Sequence, residues 1–342
     1  METLVDDVGS FPLPLRVSRV AFDRAYKIAQ KAVASGRSLK DHPSVVRDFY
    51  NVVLGSFKKK MSAGLDIVNY PQHYDMHEQY AAAIRGAMSR GTYAVNMKNA
   101  VIPEVHVIQV EAKSLSEELG RKLALRVCVT GPMELYLRTV GTVPYEDSLM
   151  MFAESCRRFA ENAILDSKYV KTEVVSLDEP SFGILDVSAD SSVLNRILEK
   201  AFDFKGVTKQ IHLHSASRIA DLLSVANLDV LAFEYAASPK NVEAVSRKDL
   251  ERADKSIRVG VARTDIDALM AEACSSGVKS PDSAQLVESE RQIRKRYLCA
   301  RERYGNQMTF AGPDCGLGGW PTQESAQLLL RRTVGAVKRQ VS

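Results

Sequence analysis

The sequence predicts a single-domain α/β protein, a (β/α)₈ TIM barrel, and three observations carry that reading. Short apolar runs alternate with helix-period segments about eight times along the 342 residues. The polar residues with chemical potential fall at the C-terminal ends of those runs, where a parallel barrel gathers its functional groups on one rim. No Gly-x-Gly-x-x-Gly follows an early strand, which weighs against a doubly wound dinucleotide fold, the runner-up architecture. No linker or low-complexity segment divides the chain, so one domain spans 1–342.

In chain order, residues 3–8 read as a first strand, stopped by the turn Gly9-Ser10-Phe11-Pro12. Helix period covers 19–34. Asp41 is placed to cap a next helix with Pro43 in its first turn, and Val46, Phe49, Val53 and Phe57 recur at helical spacing behind it. Residues 13–45 thus read as an insertion before the barrel closes. Lys58-Lys59-Lys60 reads as a solvated helix end. A strand at 64–68 opens into the polar and aromatic loop Asn69-Tyr70-Pro71-Gln72-His73-Tyr74-Asp75-Met76, followed by a helix to about Met88.

The β-branched run at 105–111 reads as a strand, and alternation of Leu125, Val127 and Val129 as another, ending at Thr130-Gly131-Pro132. A long helix covers 145–167. The strand at 172–177 is stopped by Asp178-Glu179-Pro180, and a helix over 192–202 leads to the strand Lys209-Gln210-Ile211-His212-Leu213-His214. Then come a short helix at 219–225, the strand 230–233 ending on Glu234, and helix at 241–253. A strand at 257–261 leads to Thr264-Asp265-Ile266-Asp267. Helix at 284–304, strand at 308–311 and helix at 324–339 complete the pattern.

Composition is that of an ordinary globular chain, 45% hydrophobic and 26% charged. A net charge of +4 is far from the basic stripe of a nucleic-acid binder, and no run is long enough for a membrane span. The acidic start Met-Glu-Thr-Leu-Val-Asp-Asp lacks the apolar segment of a signal peptide. The five cysteines, Cys128, Cys156, Cys274, Cys299 and Cys315, are scattered and odd in number, as expected of reduced thiols in a cytoplasmic protein. All but Cys315 read as core or helix-face residues.

The stretch with the most chemistry is His212-Leu213-His214. Residues two apart on a strand share a face, so the two imidazoles point the same way. A carboxylate, Glu234, and a thiol, Cys315, end two later strands. Two imidazoles, a carboxylate and a thiolate are a donor set for Zn2+ with room for an exogenous ligand: a thiol, held as a nucleophilic thiolate, or a water poised for hydrolysis. Asp178, Glu179, Ser10 and Asp267 supply further polar groups at strand ends. For Asp178 or Glu179, and for Asp267, helix capping is the competing role.

Gly9-Ser10-Phe11-Pro12, Asp75-Met76, Thr130-Gly131-Pro132, Asp178-Glu179-Pro180, His212-x-His214, Glu234, Pro313-Asp314-Cys315-Gly316-Leu317 and Gly319-Trp320-Pro321 occur in this order. Together they resemble the catalytic C-terminal barrel of cobalamin-independent methionine synthase, in a short single-barrel form. The resemblance spans nearly the whole chain. It implies a zinc-dependent methyltransferase acting on the thiol of homocysteine to give methionine. The family's His-x-Cys admits two alignments: His212 with His214 in the cysteine's place, or His214 with Ala216 there. Glu234 and Cys315 complete the implied metal ligands, with both histidines near the metal.

The resemblance also implies Ser10 and Asp178 as substrate-binding residues. Three family positions differ. The glutamate that binds the substrate's amino group is replaced within Tyr70-Pro71-Gln72, leaving Gln72 as the substrate-binding candidate. The family's histidine in Asp-Ile-His is Asp267, the candidate catalytic residue. The tryptophan that meets folate is absent, with Arg138 near its place. The folate-binding half has no counterpart here. The implied donor is therefore a methylated corrinoid protein, as in short relatives, rather than methyltetrahydrofolate. Two alternatives stand beside this reading: an alkyl or methyl transferase acting on another thiol such as coenzyme M, with Arg138 facing its sulfonate, and a non-catalytic ligand-binding paralogue.

Overall fold

The computed structural model describes residues 2–278 and 280–339. Its eight strands are β1 (Leu4–Val5), β2 (Val68–Asn69), β3 (Leu123–Thr130), β4 (Val170–Asp178), β5 (Thr208–Leu213), β6 (Val230–Glu234), β7 (Ser256–Ala262) and β8 (Met308–Pro313). All pair in parallel, in the order β1-β8-β7-β6-β5-β4-β3-β2. The two ends meet where Asp6 bridges Ile67 and where Asp66 N donates to Val5 O at 2.9 Å. The sheet curls on itself and helices surround it, as the alternating pattern predicts.

Strand alternation sorts the inward side chains into layers. Ile67, Val174, Val230 and Phe310, from the β2, β4, β6 and β8 segments, form an apolar plug separate from the main core. Among the inward groups next along the chain from this plug are Asp6, Arg126, Gln210 and Arg258, from the β1, β3, β5 and β7 segments, all fully buried. A barrel layer draws its four side chains from alternate strands and usually fills them with branched apolar residues. Here one carboxylate serves two guanidiniums instead. Asp6 Oδ2 lies 2.6 Å from Arg126 Nη1 and Asp6 Oδ1 lies 2.7 Å from Arg258 Nε. A Cβ on Gly312 would stand 2.4 Å from Arg258 Nη2, so only glycine leaves the guanidinium its space.

Three expectations are corrected. Residues 105–111 are not a strand but lie within the helix Pro103–Leu119. Pro103 in its first turn and buried Val105, Ile108, Ala112 and Leu115 at helical spacing outweigh the local β-branched preference. Asp41 does not cap the following helix: it ends the 3₁₀ turn Leu39–Asp41, and His42 precedes Pro43–Val45. The lysine run divides. Lys58 and Lys59 pair at the surface with Glu118 and Glu324, but Lys60 is fully buried, 2.6 Å from Asp7 and 2.7 Å from Gly9 O. Helical pitch carries every third or fourth residue inward whatever its charge, and a buried ammonium survives there only with such partners.

Helix Arg19–Ala34 spans the expected residues. Residues 22–53 pack a small core of their own, with Phe22, Tyr26, Phe49 and Val53 around Val107 of the helix Pro103–Leu119. Helices Pro132–Thr139 and Ile266–Ser275 add to the expected set, and the helix expected over 241–253 splits into the turn Pro239–Glu243 and the helix Arg247–Arg252.

Asp6→Asn leaves two interior guanidiniums without their counter-ion and is expected to cost about 3–5 kcal/mol in a urea titration. Glu104 is fully buried, both its oxygens lack a hydrogen-bond partner among the described residues, and burial pushes its carboxyl up to about 8. The folded chain thus keeps a proton that the unfolded chain has released, and stability falls as pH rises from the ordinary carboxyl range to about 8. Glu104→Gln is expected to be more stable than wild type at pH 8 by on the order of 3 kcal/mol, the gap closing toward pH 5.

Candidate metal centre

At the C-terminal mouth of the barrel, β5 carries one histidine and is followed by another, β6 ends on glutamate, and the turn after β8 brings in a cysteine. His212 pairs in register with Asp178 on one side and Ala232 on the other. His214 lies just past the last β5 residue, on the same face as His212, with ring centroids 5.7 Å apart. Donor atoms of His212, His214, Glu234 and Cys315 all lie within 4.8 Å of one another. Cys315 Sγ is 3.4 Å and Glu234 Oε1 is 3.6 Å from His214 Nε2. Ligands at tetrahedral zinc, with bonds of about 2.0–2.3 Å, stand roughly 3.3–3.8 Å apart, so these spacings fit such an ion.

A second observation supports that fit. His212 is buried, and neither ring nitrogen has a hydrogen-bond partner among the described residues. A buried imidazole without a partner is costly, and a cation supplies the missing one. Burial depresses the pKa of both histidines, and the neighbouring His214, Arg258 and Arg126 add to the effect at His212, which favours the neutral imidazole that a metal ligand requires. Burial, with Asp314 and Asp265 nearby, pushes Glu234 up to about 8, and burial with Glu234 pushes Cys315 up to about 12.

The loops that carry these groups are held by residues the sequence did not single out. Asp314 is fully buried. Its Oδ1 accepts from Tyr235 N and Ala236 N at 3.0 and 2.9 Å, and its Oδ2 from Ala237 N at 2.7 Å. It thereby ties the chain after Glu234 to the residue before Cys315. A Cβ at Gly260 would stand 2.3 Å from Asp314 Oδ1, so β7 needs glycine there. Thr264 Oγ1 accepts from Cys315 N at 3.2 Å. The only sequence signal for Asp314 was its place in Pro313-Asp314-Cys315.

The other predicted residues divide. Asp178 is buried beside His212, takes a hydrogen bond from Ser176 Oγ at 2.8 Å, and burial raises its pKa to about 6. Glu179 turns away and accepts from Met133 N and Glu134 N at 3.0 and 2.7 Å, capping the helix Pro132–Thr139. Ser10 meets the Cys315 turn: its carbonyl accepts from Leu317 N at 2.7 Å and its hydroxyl from Gly318 N at 3.1 Å. Gln72 is buried, with Nε2 3.1 Å from Gln79 Oε1 and 3.4 Å from the Tyr70 hydroxyl. Asp267 is exposed in the first turn of the helix Ile266–Ser275, whose N-cap is Asp265. Arg138 pairs with Glu134 at 2.9 Å, and Glu134 also meets His77 Nε2 at 2.8 Å.

No protein-family model and no curated protein matches the sequence. Among solved structures, a B12-independent methionine synthase from Shewanella sp. W3-18-1 in complex with selenomethionine is similar at a TM-score of 0.57 and 12% identity, over 99% of this chain and 97% of that one. A protein of Listeria monocytogenes assigned as a vitamin-B12-independent methionine synthase is similar at 0.57 and 16% identity, over 98% and 97%. Over nearly its whole length, the fold of this chain is that of these two structures.

Proposed function

We propose that the protein is a zinc-dependent S-methyltransferase that methylates homocysteine to methionine, with a methylated corrinoid protein as donor. The observation that carries the reading is the convergence of His212, His214, Glu234 and Cys315 at the barrel mouth. The shared fold supports it, as does the selenomethionine in complex with the Shewanella protein, the selenium counterpart of the thioether this reaction would release. Zinc bound there would lower the pKa of a thiol ligand, so that the substrate sulfur is held as a thiolate at neutral pH.

The chain's own residues do the rest. Asp178, buried one strand from His212, would take the substrate's ammonium. Ser10 and the turn it holds at Gly316–Gly318 would form a neighbouring wall of the substrate site. The transfer forms a sulfur–carbon bond, breaks the bond between the methyl carbon and its donor, and releases the thiol proton. Gln72, within its buried hydrogen-bond network, would line the substrate side of the loop after β2. Asp267, at the exposed start of its helix, would serve as a proton acceptor.

The test begins with metal. One zinc per chain is expected, with Cys315→Ala losing it by elemental analysis. Homocysteine added to the zinc-loaded protein is expected to release about one proton per site, and to yield methionine when a methylated corrinoid protein is supplied. Proton release with coenzyme M and none with homocysteine would overturn the assigned acceptor. A wild-type chain that takes up no metal would overturn the reading as a whole. Asp178→Asn is expected to weaken homocysteine binding by about 10–100-fold, since a charged hydrogen bond of this kind contributes on the order of 1.5–3 kcal/mol, while zinc content stays at the wild-type level.

A further inference from the structure

Asn241 sits in the 3₁₀ turn Pro239–Glu243 that follows β6. Its Nδ2 donates to two backbone carbonyls, those of His214 and Glu234, both at 2.8 Å. Its Oδ1 accepts from Ala216 N at 3.1 Å, which fixes the orientation of the amide. The paired register of β5 and β6 ends at Leu213 and Phe233. One residue further on, where the ladder has stopped, a single carboxamide spans the two chains at the residues that carry an imidazole and a carboxylate of the candidate centre. Their side chains stand 3.6 Å apart.

The demand on this position is narrow. It needs two donors on one atom and an acceptor on the other, at the reach of a short side chain, and only asparagine offers that set. Aspartate, equal in shape, would set an oxygen against two carbonyl oxygens.

We infer that Asn241 is a positioning residue: it fixes the spacing between His214 and Glu234, and so sets the affinity and ligand geometry of the metal centre. This rests on the metal reading above. Asn241 supplies no ligand atom itself, so its effect appears in how the ion is held. Residues that orient ligands from behind in this way typically change metal affinity by about 10–100-fold when removed.

The test compares wild type, Asn241→Asp and Asn241→Ala, each loaded with cobalt(II) and titrated with zinc in competition, with folding followed by circular dichroism. Asn241→Asp is expected to remain folded, to bind either ion about 10–100-fold more weakly, and to shift the visible ligand-field bands of the cobalt form. Asn241→Ala, which removes the bonds without adding charge, is expected to change affinity and spectrum in the same direction, and keeps the test open if the aspartate variant does not fold. Wild-type affinity and an unshifted spectrum in a folded variant would overturn the role of Asn241 alone. Failure of the wild-type chain to take up either ion would overturn the metal reading and this inference with it.

Discussion

The barrel depends on how one carboxylate is shared. Asp6 stands where the ring of strands closes: its backbone bridges Ile67, its amide donates to Ala311 O, and its side chain pairs with Arg126 and Arg258 across the interior. Remove that charge and two fully buried guanidiniums lose their shared counter-ion next to the apolar plug of Ile67, Val174, Val230 and Phe310. Breaking a buried ionic group in this way is far more costly than never having built it. A polar middle layer of this kind is therefore fixed in composition, and the strands that carry it are fixed in register.

That register is what aims the mouth. Two residues beyond Gln210 on the same face comes His212, and two beyond that His214. Val230, Ala232 and Glu234 follow the same parity on β6. The position of each candidate ligand is thus inherited from the packing below it. The loops, which lack that support, are held by side-chain clamps instead: Asp314 on the amides after Glu234, and Ser10 on the glycines after Cys315. Both clamps join segments far apart in sequence, so the mouth is assembled only when the ring has closed.

This division decides what could be read from the sequence. Strands such as 125–129 and 230–233 announce themselves through alternation and flanking turns, and the parity of His212 and His214 follows from strand geometry alone. The segment 105–111 misleads because Val105, Val107, Ile108 and Val110 favour strands locally, while the helix is set by contacts up to Leu115 that the short window does not weigh. Lys60 misleads because its partners, Asp7 and Gly9, lie some fifty residues earlier. The clamping roles of Asp314 and Asn241 are invisible for the same reason: they bond backbone groups of distant residues, and backbone groups leave no mark in a sequence.

The two alignments of the histidine strand differ in what they ask of residue 216. Were His214 and Ala216 the pair in the family's His-x-Cys positions, residue 216 would have to face the mouth. Ala216 is fully buried, its amide donates to Asn241 Oδ1, and its methyl group offers a metal no donor atom. By residue 216 the chain has left the strand, which ends at Leu213, and the period of two no longer governs where side chains point. Strand geometry therefore extends only far enough to deliver His212 and His214 to the same centre. The deeper of the two is the one left without any hydrogen-bond partner among the described residues. An imidazole in that position, with a second one, a carboxyl group and a thiol close by, is a donor set of the kind that one cation would draw together.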